Sequence, residues 1–206
     1  NNGLDSNIIE LAVNSKGDVF AGSWDIGIYR TTNSGLNWIK VKNYQQYGYY
    51  IKDIFIDSKD NIYAGVSSDG VIFSSDNGNN WSNLGMSGLE EINAVTVNTS
   101  GHIFVGTGSN GIFKTLDAGK TWTKLDFPAS TVLSLMINAR GIIFAGCPNG
   151  KIYRSENNGN TWLEVSSLYY DINDFVESGE GIIYAGLNNN GPYLSPDFGK
   201  LWGPFT

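Results

Sequence analysis

The chain has 206 residues and a formal net charge of −7, from 20 acidic and 13 basic residues. Hydrophobic residues make up 41% of it, aromatic residues 13% and charged residues only 16%, a composition that excludes a disordered chain. The acidic balance argues against a nucleic-acid-binding surface, and no apolar run approaches the roughly 18 residues that a membrane span needs.

Glycine and tryptophan recur along the chain with a period of about 40 residues. In the first set, Gly35, Gly78, Gly119, Gly159 and Gly199 are each followed three residues later by Trp38, Trp81, Trp122, Trp162 or Trp202. Two more glycine sets keep this period: Gly22, Gly65, Gly106, Gly146 and Gly186, and then Gly27, Gly70, Gly111, Gly150 and Gly191. Such self-similarity predicts five copies of one structural unit.

Each repeat is predicted to contain four short strands. The first alternates apolar and polar residues, as in 51–56. The second ends at the second glycine set, mostly as an Ala-Gly pair, which would let neighbouring blades approach closely. The third strand follows the third glycine set, and the fourth begins at the repeated tryptophan. Four strands in about 40 residues are typical of a propeller blade. We therefore expect an all-β, five-bladed β-propeller domain over 1–206, with antiparallel blades at 8–42, 51–84, 92–125, 132–165 and 172–204. It is either a complete ring or part of a larger propeller.

The turn between the third and fourth strands has the most specific pattern. Ser or Thr is followed two residues later by an acidic or amide residue, then by the first-set glycine and the tryptophan; the acidic or amide residues are Asn33, Asp76, Asp117, Asn157 and Asp197. This pattern resembles the Asp-box of the bacterial-neuraminidase-type (BNR) repeat, and the resemblance covers essentially the whole chain. We expect the side-chain oxygen to accept backbone N–H groups, the glycine to adopt a positive φ, and the tryptophan to pack against the blade.

The two copies with Asn in place of Asp favour a structural turn over a catalytic or metal-binding one, because only hydrogen-bond acceptance survives that change. A calcium loop over 76–80 is the less favoured alternative. The Asp-box does not fix the function, since it occurs in sialidases, xyloglucan-cleaving hydrolases, sortilin-type receptors and photosystem assembly factors. A sialidase is disfavoured because the three arginines that the chain contains, Arg30, Arg140 and Arg154, are not placed as its substrate-binding cluster.

Three acidic residues occupy the same position in their first strands: Glu10, Asp53 and Asp174. First strands line the channel of a propeller, so these carboxylates give the best catalytic alternative, a glycoside hydrolase. We favour a solvated, non-catalytic role for them. Glu177 is also unusual, because its counterparts in the other repeats are apolar.

Loops between the second and third strands, together with the linkers between blades, form the predicted binding face. They carry aromatic, acidic and amide residues: Trp24, Asp25, Tyr44, Tyr47, Tyr49, Tyr50, Asp69, Tyr169, Tyr170 and Asn189. Aromatic rings stack on sugars and also anchor protein interfaces, so the predicted partner is a glycan or a protein. The structural alternative is that the tyrosines pack the linkers onto the blades.

The chain has one cysteine, Cys147, and one histidine, His102, which together cannot form a zinc site or a nucleophilic triad. We therefore predict no metal and no cofactor. The leading prediction is a non-catalytic binding scaffold at the surface of a bacterium or secreted by it, located outside the cell or in the periplasm.

Overall fold

The computed structural model describes residues 2–4, 7–44, 48–88 and 91–205. In these ranges the chain forms five four-stranded antiparallel sheets. A short 3₁₀ turn, Pro148–Gly150, is the one helical segment in the same ranges. Among the described residues, no helix has the length and apolar character needed to cross a membrane. The sheets are the blades of a five-bladed β-propeller, so the predicted fold class is confirmed.

The strands follow one another from the first to the fourth position within every sheet. In chain order they are β1 Ile8–Val13, β2 Val19–Ser23, β3 Gly27–Thr31, β4 Ile39–Asn43; β5 Ile51–Ile56, β6 Ile62–Val66, β7 Gly70–Ser74, β8 Ser82–Asn83; β9 Ile92–Val97, β10 Ile103–Thr107, β11 Ile112–Thr115, β12 Thr123–Lys124; β13 Ser134–Ile137, β14 Ile143–Gly146, β15 Lys151–Ser155, β16 Leu163–Ser167; β17 Ile172–Glu177, β18 Ile183–Leu187, β19 Tyr193–Ser195 and β20 Gly203–Pro204.

The chain divides into two compact units, Asn1–Val95 and Thr96–Thr206. In the first unit, Phe20 and Ile28 of the first blade pack in one buried cluster with Ile51, Ile54 and other apolar residues of the second. In the second unit, two similar clusters join the third blade to the fourth and the fourth to the fifth. The core within each unit thus lies between consecutive sheets, where burial of apolar side chains stabilises the stack.

The glycine near the end of the second strand allows consecutive blades to approach closely. A Cβ added at Gly65 would lie 2.7 Å from Cγ2 of Ile92, and one at Gly106 would lie 2.5 Å from Cγ1 of Val132. Both distances are too short for carbon atoms in contact. Close packing between consecutive blades therefore requires a small residue at these two positions.

The turns after the third strands have the geometry expected from their sequence. In all five, the Asp or Asn oxygen accepts a backbone N–H four residues later, at 2.8–2.9 Å. The Ser or Thr hydroxyl accepts the N–H of the glycine, whose φ lies between +78° and +86°. The turn therefore closes through local bonds to side-chain oxygens.

Two details of the predicted repeat were wrong. The fourth strands begin one residue after the tryptophan, which still belongs to the turn; in the second blade the indole N–H of Trp81 donates to the Gly78 carbonyl at 3.0 Å. Gly150 is also out of register. Lys151 pairs at the position that Gly27 occupies in the first blade, because the 3₁₀ turn brings the chain into β15 one residue later.

Long basic side chains of the third strands tie consecutive blades together. Arg30 donates to the carbonyl of Asn77, and Arg154 donates from Nε to the carbonyl of Phe198 at 2.8 Å. Lys114 makes the equivalent bond to the carbonyl of Asn158 at 3.0 Å. Each partner carbonyl lies in the Asp or Asn turn of the next blade, so two of the three arginines have structural roles.

Candidate functional site

The first unit brings five of the predicted binding residues onto one surface, which we call the first-unit loop surface: Trp24, Tyr44, Tyr49, Tyr50 and Asp69. The linker after β4 lies along the loops of both adjoining blades. The N–H of Tyr44 donates to the carbonyl of Ile26, and the N–H of Ser67 donates to the carbonyl of Tyr50. These backbone bonds fix the aromatic side chains on the sheet scaffold.

The exposed end of this surface is an aromatic stack. The rings of Trp24 and Tyr50 lie 4.5 Å apart at an angle of 28°, and 44% of Trp24 remains exposed. The ammonium of Lys52 lies 5.2 Å from the Trp24 ring centroid and 2.9 Å from a carboxylate oxygen of Glu91. Sequence reasoning missed Lys52 and Glu91, although Lys52 is the one basic residue at its position in the five first strands.

The other end of the surface is held by side-chain hydrogen bonds. Tyr44 stacks on Tyr49 at 4.9 Å, and its hydroxyl donates to Oδ2 of Asp69 at 2.6 Å. Burial, together with the Asp69 carboxylate, raises the pKa of Tyr44, which stays protonated. Both tyrosines pack against the apolar cluster of the first two blades. They match the structural alternative, in which linker tyrosines hold the loop on the blade.

Asn83 and Ser87 extend the polar end beyond Asp69, and sequence reasoning missed both. The Asn83 amide donates to the backbone carbonyl and to Oδ1 of Asp69, at 2.6 and 3.0 Å, and the Ser87 hydroxyl donates to the same carbonyl at 2.8 Å. Asn83 and Ser87 are exposed. Of the other predicted residues here, Asp25 is half-buried next to Trp24, and Tyr47 lies outside the described residues.

The second unit holds the remaining predicted binding residues. Tyr169 and Tyr170 lie in the linker before β17, where they are 95% and 42% exposed. The linker is anchored by bonds from the N–H of Leu168 to the Gly150 carbonyl and from the N–H of Asn149 to Oδ1 of Asp171. Asn189 is exposed in the loop between β18 and β19, and the adjacent Asn188 donates its N–H to the Asp171 carbonyl.

The predicted catalytic carboxylates are engaged with backbone groups. Asp53 in β5 accepts the N–H of Val95 at 2.6 Å, and Asp174 in β17 accepts the N–H of Phe175 at 2.7 Å. Desolvation raises the pKa of Asp174, although the residue remains exposed and the Phe175 N–H acts in the opposite direction. Glu10 lies in β1 and is half-buried. Glu177, the other unusual acid, accepts the N–H of Ala139 at 2.7 Å.

No group of three or more His, Cys, Asp or Glu residues within the described ranges is arranged to hold a metal ion. The amide oxygens and carboxylates of the turns point to backbone N–H groups instead, as in the turn of Asp76, which also accepts from the side-chain amide of Asn80 at 2.6 Å.

Comparison with known families identifies the propeller. A model of the DUF6242 beta propeller domain matches residues 83–202, which is more than half of the chain. The chain belongs to the DUF6242 β-propeller domain family. No curated protein matches the sequence significantly.

Solved propeller structures resemble this DUF6242 domain at low sequence identity. A GH74 enzyme from Niastella koreensis superposes with a TM-score of 0.79 at 18% identity, covering 99% of this chain and 38% of the enzyme. YCF48 bound to the D1 peptide superposes with a TM-score of 0.72 at 14% identity, covering 98% of this chain and 73% of YCF48. The extracellular domain of a proposed one-component system from B. thetaiotaomicron superposes with a TM-score of 0.72 at 17% identity, covering 93% of this chain and 27% of that domain. The chain thus spans well under half of the GH74 enzyme, and these likenesses concern the fold alone.

Proposed function

We propose that this DUF6242 domain is a non-catalytic binding scaffold, which recognises a glycan or a protein through the loops at the ends of its blades. The observation that carries the proposal is Trp24, a large aromatic residue that stays 44% exposed while it is held on Tyr50 in a loop anchored to rigid sheets. Exposed aromatic rings fixed on a scaffold are typical of ligand-binding surfaces, since little conformational entropy is lost on binding.

Partner binding by related architectures supports this proposal. The YCF48 structure contains a bound D1 peptide, and another propeller of similar fold, with a TM-score of 0.74, was solved in a nidogen–laminin complex. Propellers of this architecture therefore hold peptides and proteins. For the DUF6242 domain the nearly fully exposed Tyr169 is a second candidate anchor, because tyrosine is enriched at interface hot spots.

We assign the five turns after the third strands to the Asp-box of the BNR repeat. The shared hydroxyl–carboxylate or hydroxyl–amide arrangement and the positive-φ glycine support the assignment. In this assignment the turns stabilise the blades and do not bind the ligand, because Asn33 and Asn157 form the same bonds as the three aspartates.

The contacts of the first-strand acids support a non-catalytic scaffold over a hydrolase. A glycosidase needs one carboxyl group to donate a proton and a second to act as base or nucleophile. Asp53 instead accepts the backbone N–H of Val95 in the next first strand, at 2.6 Å. We assign Asp53 a structural role in joining β5 to β9.

We place the domain outside the bacterial cell or in its periplasm. One of the similar structures is described as an extracellular domain from B. thetaiotaomicron, which supports this location.

The experiment is a glycan-array screen of the purified chain, followed by a reducing-end assay on every glycan that binds. We expect selective binding with no release of reducing ends, and unchanged binding by the double variant Asp53→Asn/Asp174→Asn. Turnover of a bound glycan that this variant abolishes would contradict the non-catalytic function. If the array is blank, crosslinking to extracellular proteins of the source organism tests the protein partner, and failure of both screens would exclude the scaffold function.

A further inference from the structure

The exposed stack of Trp24 and Tyr50 has the form of a platform for a flat apolar ligand face. One ring covers the other at 4.5 Å, and the Lys52 ammonium lies near both centroids, at 5.2 and 5.9 Å. The backbone N–H of Trp24 donates to the carbonyl of Asn7 at 2.9 Å and fixes the loop that carries the ring. The indole surface that stays exposed is therefore presented in a defined orientation.

The charge beside this platform is internally balanced. Lys52 forms its ion pair with Glu91 at 2.9 Å, and its side chain is 23% exposed, so the carboxylate balances the positive charge beside the rings. The chain as a whole carries a formal charge of −7, which repels polyanions at long range. Both facts disfavour an acidic ligand at the platform.

Hydroxyl-binding groups are joined to the platform by a continuous series of contacts. Tyr50 is adjacent to Tyr49, which stacks on Tyr44, and the Tyr44 hydroxyl binds Asp69. Asn83 and Ser87 then surround the backbone carbonyl of Asp69. An aromatic platform next to carboxylate, amide and hydroxyl groups can bind the apolar face and the hydroxyl groups of a sugar together.

We infer that the first-unit loop surface binds a neutral glycan, with Trp24 stacking against a pyranose ring and the Asp69–Asn83–Ser87 group bonding hydroxyls of an adjacent sugar. The inference rests on the proposed binding function and narrows it to one ligand class and one surface. Glu91 sets the specificity, because it neutralises the only ammonium that contacts the platform among the described residues.

The test is isothermal titration of the full chain with neutral hexasaccharides (cello-, manno-, xylo- and laminarihexaose) and with acidic hexagalacturonate. At least one neutral sugar binds, and hexagalacturonate does not. Trp24→Ala lowers the affinity for the neutral sugar by about tenfold or more, and Trp24→Phe keeps part of the affinity that the alanine variant loses. Phe205→Ala, which removes an exposed aromatic ring that is not among the predicted binding residues, leaves the affinity unchanged. Tyr169→Ala tests the alternative anchor in the second unit.

Glu91→Gln provides a gain-of-function arm, because it leaves the Lys52 ammonium without its carboxylate. This variant acquires measurable hexagalacturonate binding at low salt, which the wild-type chain lacks. Melting curves of all variants establish that each is folded before its titration is interpreted.

The outcomes separate this inference from the proposed function. Neutral-sugar binding that is lost in Tyr169→Ala and kept in Trp24→Ala overturns the inference and leaves the scaffold function standing. If the wild-type chain binds hexagalacturonate and no neutral sugar, the inference is likewise overturned and the scaffold function stands. If no hexasaccharide binds the wild-type chain, the inference is wrong, and the scaffold function then depends on a protein partner.

Discussion

Asp117 illustrates how one carboxylate closes a turn. It accepts the N–H and the hydroxyl of Thr121 at 2.9 and 2.7 Å and the hydroxyl of Thr115 at 2.7 Å. The bonds from Thr121 and Thr115 lower the pKa of Asp117 to about 2. An unfolded aspartate has a pKa of about 3.9. The carboxylate therefore stabilises the fold fully above about pH 4, and this contribution is lost as the pH falls toward 2.

Asp117→Asn tests this pH dependence. The amide oxygen keeps the backbone bond, as Asn33 and Asn157 do in their turns, but it cannot be protonated in this range. We expect the melting temperature of the variant to fall less steeply than that of the wild type between pH 4 and pH 2, measured by circular dichroism. Asp126→Asn, at an exposed linker residue, serves as the control. Parallel curves for wild type and Asp117→Asn would show that the turn carboxylate is not held in its ionised form.

Cys147 is predicted to be inert despite being a free thiol. It is only 1% exposed, and burial raises its pKa to about 12, so almost no thiolate is present at pH 8. We expect no reaction of the native chain with Ellman's reagent at pH 8 over minutes, and one thiol per chain after addition of guanidinium chloride. Rapid labelling of the native protein would contradict the burial of this residue.

Close contact between consecutive sheets depends on the glycine near the end of the second strand, as at Gly106. Gly106 has no room for a methyl group beside Val132, whereas a Cβ at Gly186 would lie 3.9 Å from its nearest neighbour, Asp174. Gly106→Ala should therefore lower the free energy of unfolding by about 1–3 kcal/mol, the usual range for overpacking. The matched variant Gly186→Ala should be close to neutral. Chemical denaturation measures both, and equal effects would contradict the argument from close approach.

The strand pattern and the turns follow from the sequence because their causes are local. Alternating apolar residues, hydroxyl–Asp turns and regularly spaced glycines each act within a few residues, so their periodicity predicts the blades. The shift at Gly150 is visible in the sequence but was overlooked: Gly150 lies seven residues before Asn157, whereas in the other repeats the third-set glycine lies six residues before the turn residue.

Contacts between repeats are the part that the sequence does not reveal. In the first and third blades, a buried or half-buried turn asparagine, Asn14 or Asn98, donates to the side chain of Asn77 or Asn158 in the next blade. The fourth blade lacks this bond. Phe198 stands where the other pairs have the acceptor asparagine, and the Nδ2 of Asn138 is buried without a hydrogen-bond partner. Arg140 covers the Phe198 ring at 3.5 Å instead. The roles of these turn residues follow only from the residues that face them in the next blade.

The candidate binding surface could likewise be predicted only in part. Exposed aromatic residues in variable loops indicated a ligand-binding face, and the structure brings Trp24, Tyr44, Tyr49 and Tyr50 together in the first unit. Their separate roles depend on burial and pairing: Tyr44 and Tyr49 hold the linker, whereas Trp24 is exposed. The ion pair of Lys52 with Glu91 joins residues 39 positions apart, which no local pattern connects.

For the whole molecule, the scaffold and the proposed ligand surface overlap only in part. The sheets and their turns are stabilised by apolar clusters and by side-chain bonds to the backbone, and the acids of the first strands take part in that bonding. Tyr44 and Tyr49 pack against one of these clusters, whereas Trp24 is exposed. A change at Trp24 should therefore alter binding without unfolding the domain.

The most direct test of this account is hydroxyl-radical footprinting of the full chain, with and without the glycan that binds best on the array. We predict protection of Trp24 and Tyr50, with unchanged labelling in the first strands β1 and β5. Protection centred on β1 and β5 around Glu10 and Asp53, with Trp24 still labelled, would contradict the account, because the ligand would then lie against the acids of the first strands.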